Sequence, residues 1–179
     1  MKVLMHICCA PCAAIPFEEL CREGYTIEGF FFNPNIHPYQ EYLKRHEAVE
    51  KLSEATGLKV IYDEKHDFKG FIREVAFKEE DRCKICYYNR LKQTAITAKE
   101  RNFDIFTSTL LISPHQNHAM IRAIGDEVAK ETGVELLYRD YRESFKKSYE
   151  LSKKYGLYRQ QYCGCIYSEY ERFAARSAK

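Results

Sequence analysis

No window of the 179-residue sequence approaches the roughly 20 uninterrupted apolar residues that a membrane-crossing helix requires. A helical span is excluded and no membrane partner is expected. No leader precedes the strand-like run Val3-Leu4-Met5-His6-Ile7, so the expected compartment is the reducing cytoplasm. Internal repeats, low-complexity segments and any linker that would split the chain are missing as well. That leaves one α/β domain over residues 1–179, large enough to bury a real core. Glycine is absent from the turn after the first strand-like run, where a nucleotide-binding protein would carry it; Cys8-Cys9-Ala10-Pro11-Cys12 stands there instead.

What the chain does have is cysteine. Eight residues fall into three tight groups, Cys8-Cys9-x2-Cys12, Cys83-x2-Cys86 and Cys163-x-Cys165, with Cys21 alone. Thiolates at such spacings suit a soft metal or a redox exchange, and in a reducing compartment they are ligands and redox groups rather than a disulfide framework.

Five short apolar runs read as buried strands: Val3–Ile7, Thr26–Phe32, Leu58–Tyr62, Asp104–Ser108 and Val134–Tyr138. Helical spacing follows them. Tyr39, Tyr42, His46, Val49 and Leu52 line one face of a helix that Thr56-Gly57 ends; Ile85, Tyr88, Leu91 and Ala95 line a second; Met120, Ile124 and Val128 line a third that stops near Gly133. Apolar strands separated by helical crossovers predict a three-layer Rossmann-like sandwich, a five-stranded, mainly parallel sheet with helices on both faces. Functional groups in such a sheet gather at the carboxyl ends of the strands. The first cysteine group, the loop Asn33–Pro38 and the segment Thr107–Asn117 are therefore expected on one rim.

Cys83 and Cys86 open a helix, where free N–H groups and the helix dipole stabilise thiolates. They offer two ligands; Cys8, Cys9 or Cys12 would complete a site that suits either structural zinc or an iron–sulfur cluster, and spacing does not choose between them. Two partly buried free cysteines are the plainer reading of the pair. A disulfide between Cys163 and Cys165 would close a small, strained, easily reduced ring, which suits reversible exchange; two further metal ligands is the competing reading. Cys21, near Phe17 and Leu20, reads as a small core residue. His6 lies within a strand as a satisfied buried group, while His37 and His115 sit in rim loops able to donate protons or bind metal. Asp81 is expected to cap the helix that carries Cys86. Arg82, Arg90 and Arg159 could meet phosphate, although isolated arginines more often form surface ion pairs.

The net charge of +2 is uneven: residues 139–179 hold ten Lys/Arg against five Asp/Glu and include seven of the 14 tyrosines. Basic groups interleaved with aromatics can neutralise phosphates and stack on bases, and they also fit a solvated face over an aromatic core. Within this segment, 141–162 is polar enough to form a lid or a peripheral helix.

His6-Ile7-Cys8-Cys9-Ala10-Pro11-Cys12, Phe32-Asn33-Pro34-Asn35-Ile36-His37-Pro38, Arg82-Cys83-x2-Cys86-Tyr87-x2-Arg90-Leu91, Thr107-Ser108-Thr109-Leu110-x2-Ser113-Pro114 and Ser152-Lys153-x2-Tyr155-Gly156-Leu157-Tyr158-Arg159-Gln160-x2-Cys163-Gly164-Cys165 occur in this order. Together they resemble the QueH family of cobalamin-independent epoxyqueuosine reductases. The resemblance implies an oxidoreductase that deoxygenates epoxyqueuosine to queuosine at the wobble position of tRNA, the last step of queuosine formation. It implies a [4Fe-4S] cluster on Cys8, Cys9, Cys83 and Cys86, with Cys12 as a further metal ligand or an exchange partner for one of the four. A redox-active disulfide between Cys163 and Cys165, an additional iron beside the cluster, and an unidentified electron donor are implied too. Lys146, Lys147, Lys153 and Lys154 are expected to add salt-dependent affinity for tRNA.

Three other readings stand beside it. A tRNA sulfur transferase of the ATP-pyrophosphatase type would share the sheet, but its Gly/Ser-rich phosphate loop is missing. A non-catalytic, zinc-stabilised RNA-binding module needs only the metal and the basic segment. A thiol–disulfide oxidoreductase would place its C-x2-C after a strand, whereas Cys83-x2-Cys86 follows a helix-like segment.

Overall fold

A computed structural model describes residues 1–63 and 65–177, with only the backbone described at 175–177; the last two residues of the basic segment lie outside the described residues. Five strands, β1 (Lys2–His6), β2 (Thr26–Phe31), β3 (Lys59–Tyr62), β4 (Ile105–Ser108) and β5 (Glu135–Leu136), form a sheet of order β3-β2-β1-β4-β5. Every pairing is parallel, with Lys2 opposite Thr26 and Val3 opposite Ile105. The helices are α1 (Ala10–Arg22), α2 (Tyr39–Thr56), α3 (Phe68–Val75), α4 (Arg82–Glu100), α5 (His118–Thr132), α6 (Phe145–Lys154) and α7 (Ile166–Ser177).

Strand alternation sends neighbouring side chains to opposite faces. Leu4, Phe30 and Phe106 pack with Leu91, Ile121 and Val128 of α4 and α5. Val3, Met5, Ile27, Phe31 and Ile105 pack with Ala13, Val49 and Leu52 of α1 and α2. Each of the Val, Leu, Ile, Met and Phe side chains among them contributes roughly 1.5–3 kcal/mol when fully buried, and the result is the expected three-layer sandwich. Gly57 and Gly133 end α2 and α5 in the left-handed conformation (φ 75° and 77°) that a side chain would oppose.

Several local expectations need correction. The fifth strand is only Glu135–Leu136, because it is an edge that bonds to β4 alone and its chain turns away after Leu137 donates to Phe106. Cys21 is exposed: Leu20 takes the buried position at that level of α1 and leaves Cys21 on the outer face. Tyr39 is 55 % exposed at the start of α2 and stacks on Tyr42 instead of entering the core.

The strand order reverses beside β1: its chain neighbour β2 lies on one side and β4 on the other, which opens a crevice at the carboxyl ends of β1 and β4.

Candidate active site

Residues Cys8 and Cys9 leave β1 directly into that crevice. Cys9, with extended backbone (φ −169°), is the N-cap of α1, and Pro11 lies in the first turn, where its missing N–H costs nothing. This geometry swings Cys12 back beside its neighbours. The sulfurs of Cys8, Cys9 and Cys12 all lie within 4.8 Å of one another, and all three thiols are free and buried. Thr109, just past β4, closes the switch point: its Oγ1 accepts from Cys8 N at 3.1 Å and donates to Cys8 Sγ at 3.2 Å. Gln160 Nε2 approaches from the C-terminal segment, 2.9 Å from Cys9 Sγ and 3.7 Å from Cys12 Sγ.

The three thiols share charge unequally. Hydrogen bonds from Cys12 and Cys9, aided by the charge of Arg90, hold Cys8 well below the ordinary thiol range. Burial raises Cys9, and the bonds to Cys8 and Cys9 raise Cys12. Three buried thiols of unequal acidity form a site ready to exchange protons for a soft cation.

Helix α4 carries the second group. Cys83, exposed in its first turn, and Cys86, buried one turn on, share a stripe with Arg90. Burial pushes the Cys86 thiol up to about 12. Burial raises the Cys83 thiol as well, and the charges of Cys163 and Cys165 add to the rise at both Cys83 and Cys86. Among the described residues, the tight three-sulfur group is Cys8, Cys9 and Cys12, and it does not include Cys83 or Cys86.

The Cys163-Gly164-Cys165 turn precedes α7. Cys165 is buried and its sulfur accepts from Ser168 N at 3.4 Å, while Cys163 faces a cavity. Tyr87 Oη donates to Gln116 Oε1 at 2.8 Å, which turns the Gln116 amide nitrogen toward Cys163 Sγ at 3.4 Å. The cavity, about 640 Å³, is also lined by Cys8 and Cys12. Arg45, Arg159 and Arg172 line it with Tyr149 and Tyr162, and among the described residues no carboxylate does. The Arg159 guanidinium lies 3.7 Å from the centre of the Tyr149 ring.

His6 is the satisfied buried group expected. Its Nε2 donates to the Phe32 carbonyl at 3.1 Å, so Nδ1 is the acceptor for Ser108 Oγ at 3.0 Å. Burial, with the charge of Arg90, lowers its pKa to about 3. His115 lines the cavity, but the His37 imidazole stacks on Phe68; it is the His37 backbone that meets the C-terminal turn, through its N–H to the Gly164 carbonyl at 2.7 Å. Asp81 stands at the N-cap of α4 without a side-chain bond, because the preceding 3₁₀ turn holds it at φ −91°, ψ 1°, not in extended backbone. Of the three arginines, Arg82 pairs with Glu171, Arg159 lines the cavity, and Arg90 is fully buried, contrary to the surface ion pair expected. Lys146, Lys147, Lys153 and Lys154 are exposed on α6 and none lines the cavity. The contacts made by Arg45, Gln116, Gln160 and Asn35 carry no signal in the sequence, since amides and a lone helical arginine have no diagnostic spacing.

A family model described as epoxyqueuosine reductase QueH matches residues 3–171. The chain belongs to the QueH family. It is 42 % identical over 172 residues to the epoxyqueuosine reductase QueH of Dehalococcoides mccartyi, covering 96 % of this chain and 94 % of the relative. The QueH of Thermotoga maritima is 37 % identical over 179 residues, covering 95 % and 91 %. The oxidoreductase class expected from the motifs is thereby borne out. Among solved structures, one titled the crystal structure of predicted subunit of tRNA methyltransferase from Methanocaldococcus jannaschii superposes with a TM-score of 0.55 over 86 % of this chain and 74 % of its own. At 12 % identity that likeness concerns the fold alone.

Proposed function

We propose that this chain reduces epoxyqueuosine to queuosine in the anticodon loop of tRNA, in the cytoplasm, as one α/β domain whose basic C-terminal segment covers the site. The observation that carries the reading is the group of three buried free thiols, Cys8, Cys9 and Cys12, at the sheet's switch point beside a cavity with arginine walls. An all-sulfur donor set fits an iron–sulfur cluster or zinc, and the family favours the [4Fe-4S] cluster. Its ligands would come from Cys8, Cys9 and Cys12 and from Cys83 and Cys86 of α4, and an additional iron could take a thiol left over. When bound, such a cluster supplies single electrons at low potential.

The chain's own residues account for the rest. Opening the epoxide to an alkene consumes two electrons and two protons and releases water. Oxidation of the Cys163/Cys165 dithiol to a disulfide releases that same number of each, so this pair can hold both of the reducing equivalents that one turnover needs. An external electron donor must then reduce the disulfide for the next turnover. Arg159 and Arg172 would neutralise phosphate, and Tyr149 and Tyr162 would stack on a base turned out of the loop.

Iron, zinc and acid-labile sulfide content, with an absorption spectrum before and after dithionite, tests this on protein prepared without oxygen. Iron and sulfide with a bleachable charge-transfer band support the reading. Stoichiometric zinc without sulfide, persisting after anaerobic iron–sulfur reconstitution, would replace it with the zinc-stabilised RNA-binding module.

A further inference from the structure

Arg90 is 1 % exposed, and among the described residues no carboxylate pairs with it. One atom takes its bonds: Asn35 Oδ1 lies 3.1 Å from Nε and 2.5 Å from Nη2, while Nη1 is buried with no partner. An arginine cannot shed its proton to escape such a place. A buried, unpaired charge is among the costliest features a fold can carry. The chain does not tolerate this elsewhere, for the other fully buried arginine, Arg45, has Glu41 at 2.8 Å. What Arg90 lacks is an anion that the polypeptide does not supply as a carboxylate.

The surroundings identify it. Arginine only donates, so Asn35 must turn Oδ1 toward Arg90, and its amide nitrogen then faces Cys86 Sγ at 3.4 Å. The Arg90 charge is also felt at Cys8, Cys86 and Cys163, one from each cysteine group. The geometry ties this cation to Cys86 through Asn35.

We propose that Arg90, with Asn35 as its relay to sulfur, is the fixed counter-charge of the thiolate centre. It is a positioning residue that stabilises the negative charge a thiolate-ligated metal group brings into the core, and by doing so raises that group's reduction potential and its retention. Net charge and hydrogen bonds to sulfur are what set such potentials. The inference rests on the reading above that these thiols hold a metal cluster.

The test uses wild type, Arg90→Met, Arg90→Lys and Asn35→Leu. Each is reconstituted anaerobically with iron and sulfide and titrated for its midpoint potential, and each metal-free protein is unfolded thermally. Arg90→Met should move the potential to more negative values and release iron faster, Asn35→Leu should do the same to a smaller degree, and Arg90→Lys should stay near wild type. Metal-free Arg90→Met should melt at or above wild type, because it removes an unpaired buried charge. An unchanged potential in Arg90→Met, or a metal-free Arg90→Met that melts well below wild type, overturns the inference. If wild type takes up neither iron nor sulfide, the cluster reading fails, and the unfolding measurement alone decides whether Arg90 waits for an anion.

Discussion

The buried guanidinium of Arg45 donates from Nη1 to the carbonyl of Cys163 at 2.8 Å, tying α2 to the Cys163-Gly164-Cys165 turn. Its Nη2 holds the Tyr162 carbonyl at 3.0 Å, its Nε pairs with Glu41, and Tyr158 donates to the same carboxylate at 2.5 Å. One ion pair thus fixes the backbone that aims Cys163 into the cavity.

Arg45→Met should therefore cost about 3–5 kcal/mol of stability, since it leaves Glu41 buried without its cation and two carbonyls without donors. Arg45→Lys keeps the charge but lacks the planar fork, so it should recover part of the stability and little of the multiple-turnover rate. Denaturant unfolding beside a turnover assay separates the two effects. Equal turnover in wild type and Arg45→Lys would show that the turn does not depend on the fork.

Gly164 makes a second, independent demand at the same turn. Its φ is +142°, and an added Cβ would lie 3.1 Å from both Arg45 Nη1 and Ile36 Cγ1. Gly164→Ala should destabilise the protein by about 1–3 kcal/mol through backbone strain. It should also alter the reduction potential of the Cys163/Cys165 pair, read by equilibration with a glutathione buffer, while Gly24→Ala, at a position with open space around the added Cβ, serves as the strain-only control.

The parallel sheet and the helix faces were legible because hydrophobic period and crossover topology dictate them. Cys8 and Cys9 follow an apolar strand, so the rule that functional groups collect at carboxyl ends located them. The tight association of Cys12 with them was less visible, because it depends on how sharply α1 starts after Cys9. Arg45 and Arg90 were illegible for a related reason: each sits at a helical position where sequence permits a solvated side chain, and only tertiary packing buries it. That the lysines of α6 stand away from the cavity was not legible, because charge density in sequence says nothing about which side of a helix meets it.

Binding of tRNA should depend on the cavity arginines more than on those lysines. Arg159→Ala with Arg172→Ala should weaken binding and lower the slope of log affinity against log salt by roughly 0.7 for each phosphate no longer neutralised. The quadruple Lys146/Lys147/Lys153/Lys154→Ala variant should change that slope less. Filter binding over a salt series decides, and a steeper loss in the lysine variant would move the RNA path to the outer face of α6.

Acid should loosen the metal-free protein partly through His6. Its folded pKa of about 3 lies below the ordinary 6.5. Between those values the unfolded chain holds a proton that the folded chain excludes, so stability is fully present above pH 6.5 and falls as pH drops toward 3. The slope from this one group is at most about 1.4 kcal/mol per pH unit. Urea unfolding across that range should show a shallower acid loss in His6→Asn, and parallel curves for the two proteins would remove His6 from the account.

The reaction proposed for this chain removes the epoxide oxygen from a tRNA nucleoside using the Cys163/Cys165 pair beside the buried thiols. The most direct test incubates anaerobically reconstituted protein and a low-potential reductant with tRNA carrying epoxyqueuosine, then identifies the digested nucleosides by mass spectrometry. The account predicts conversion to queuosine, with loss of one oxygen, over many turnovers in wild type, and failure of sustained turnover in Cys165→Ser at undiminished iron content. Unaltered epoxyqueuosine with iron- and sulfide-loaded wild type, or sustained turnover in Cys165→Ser, would contradict it.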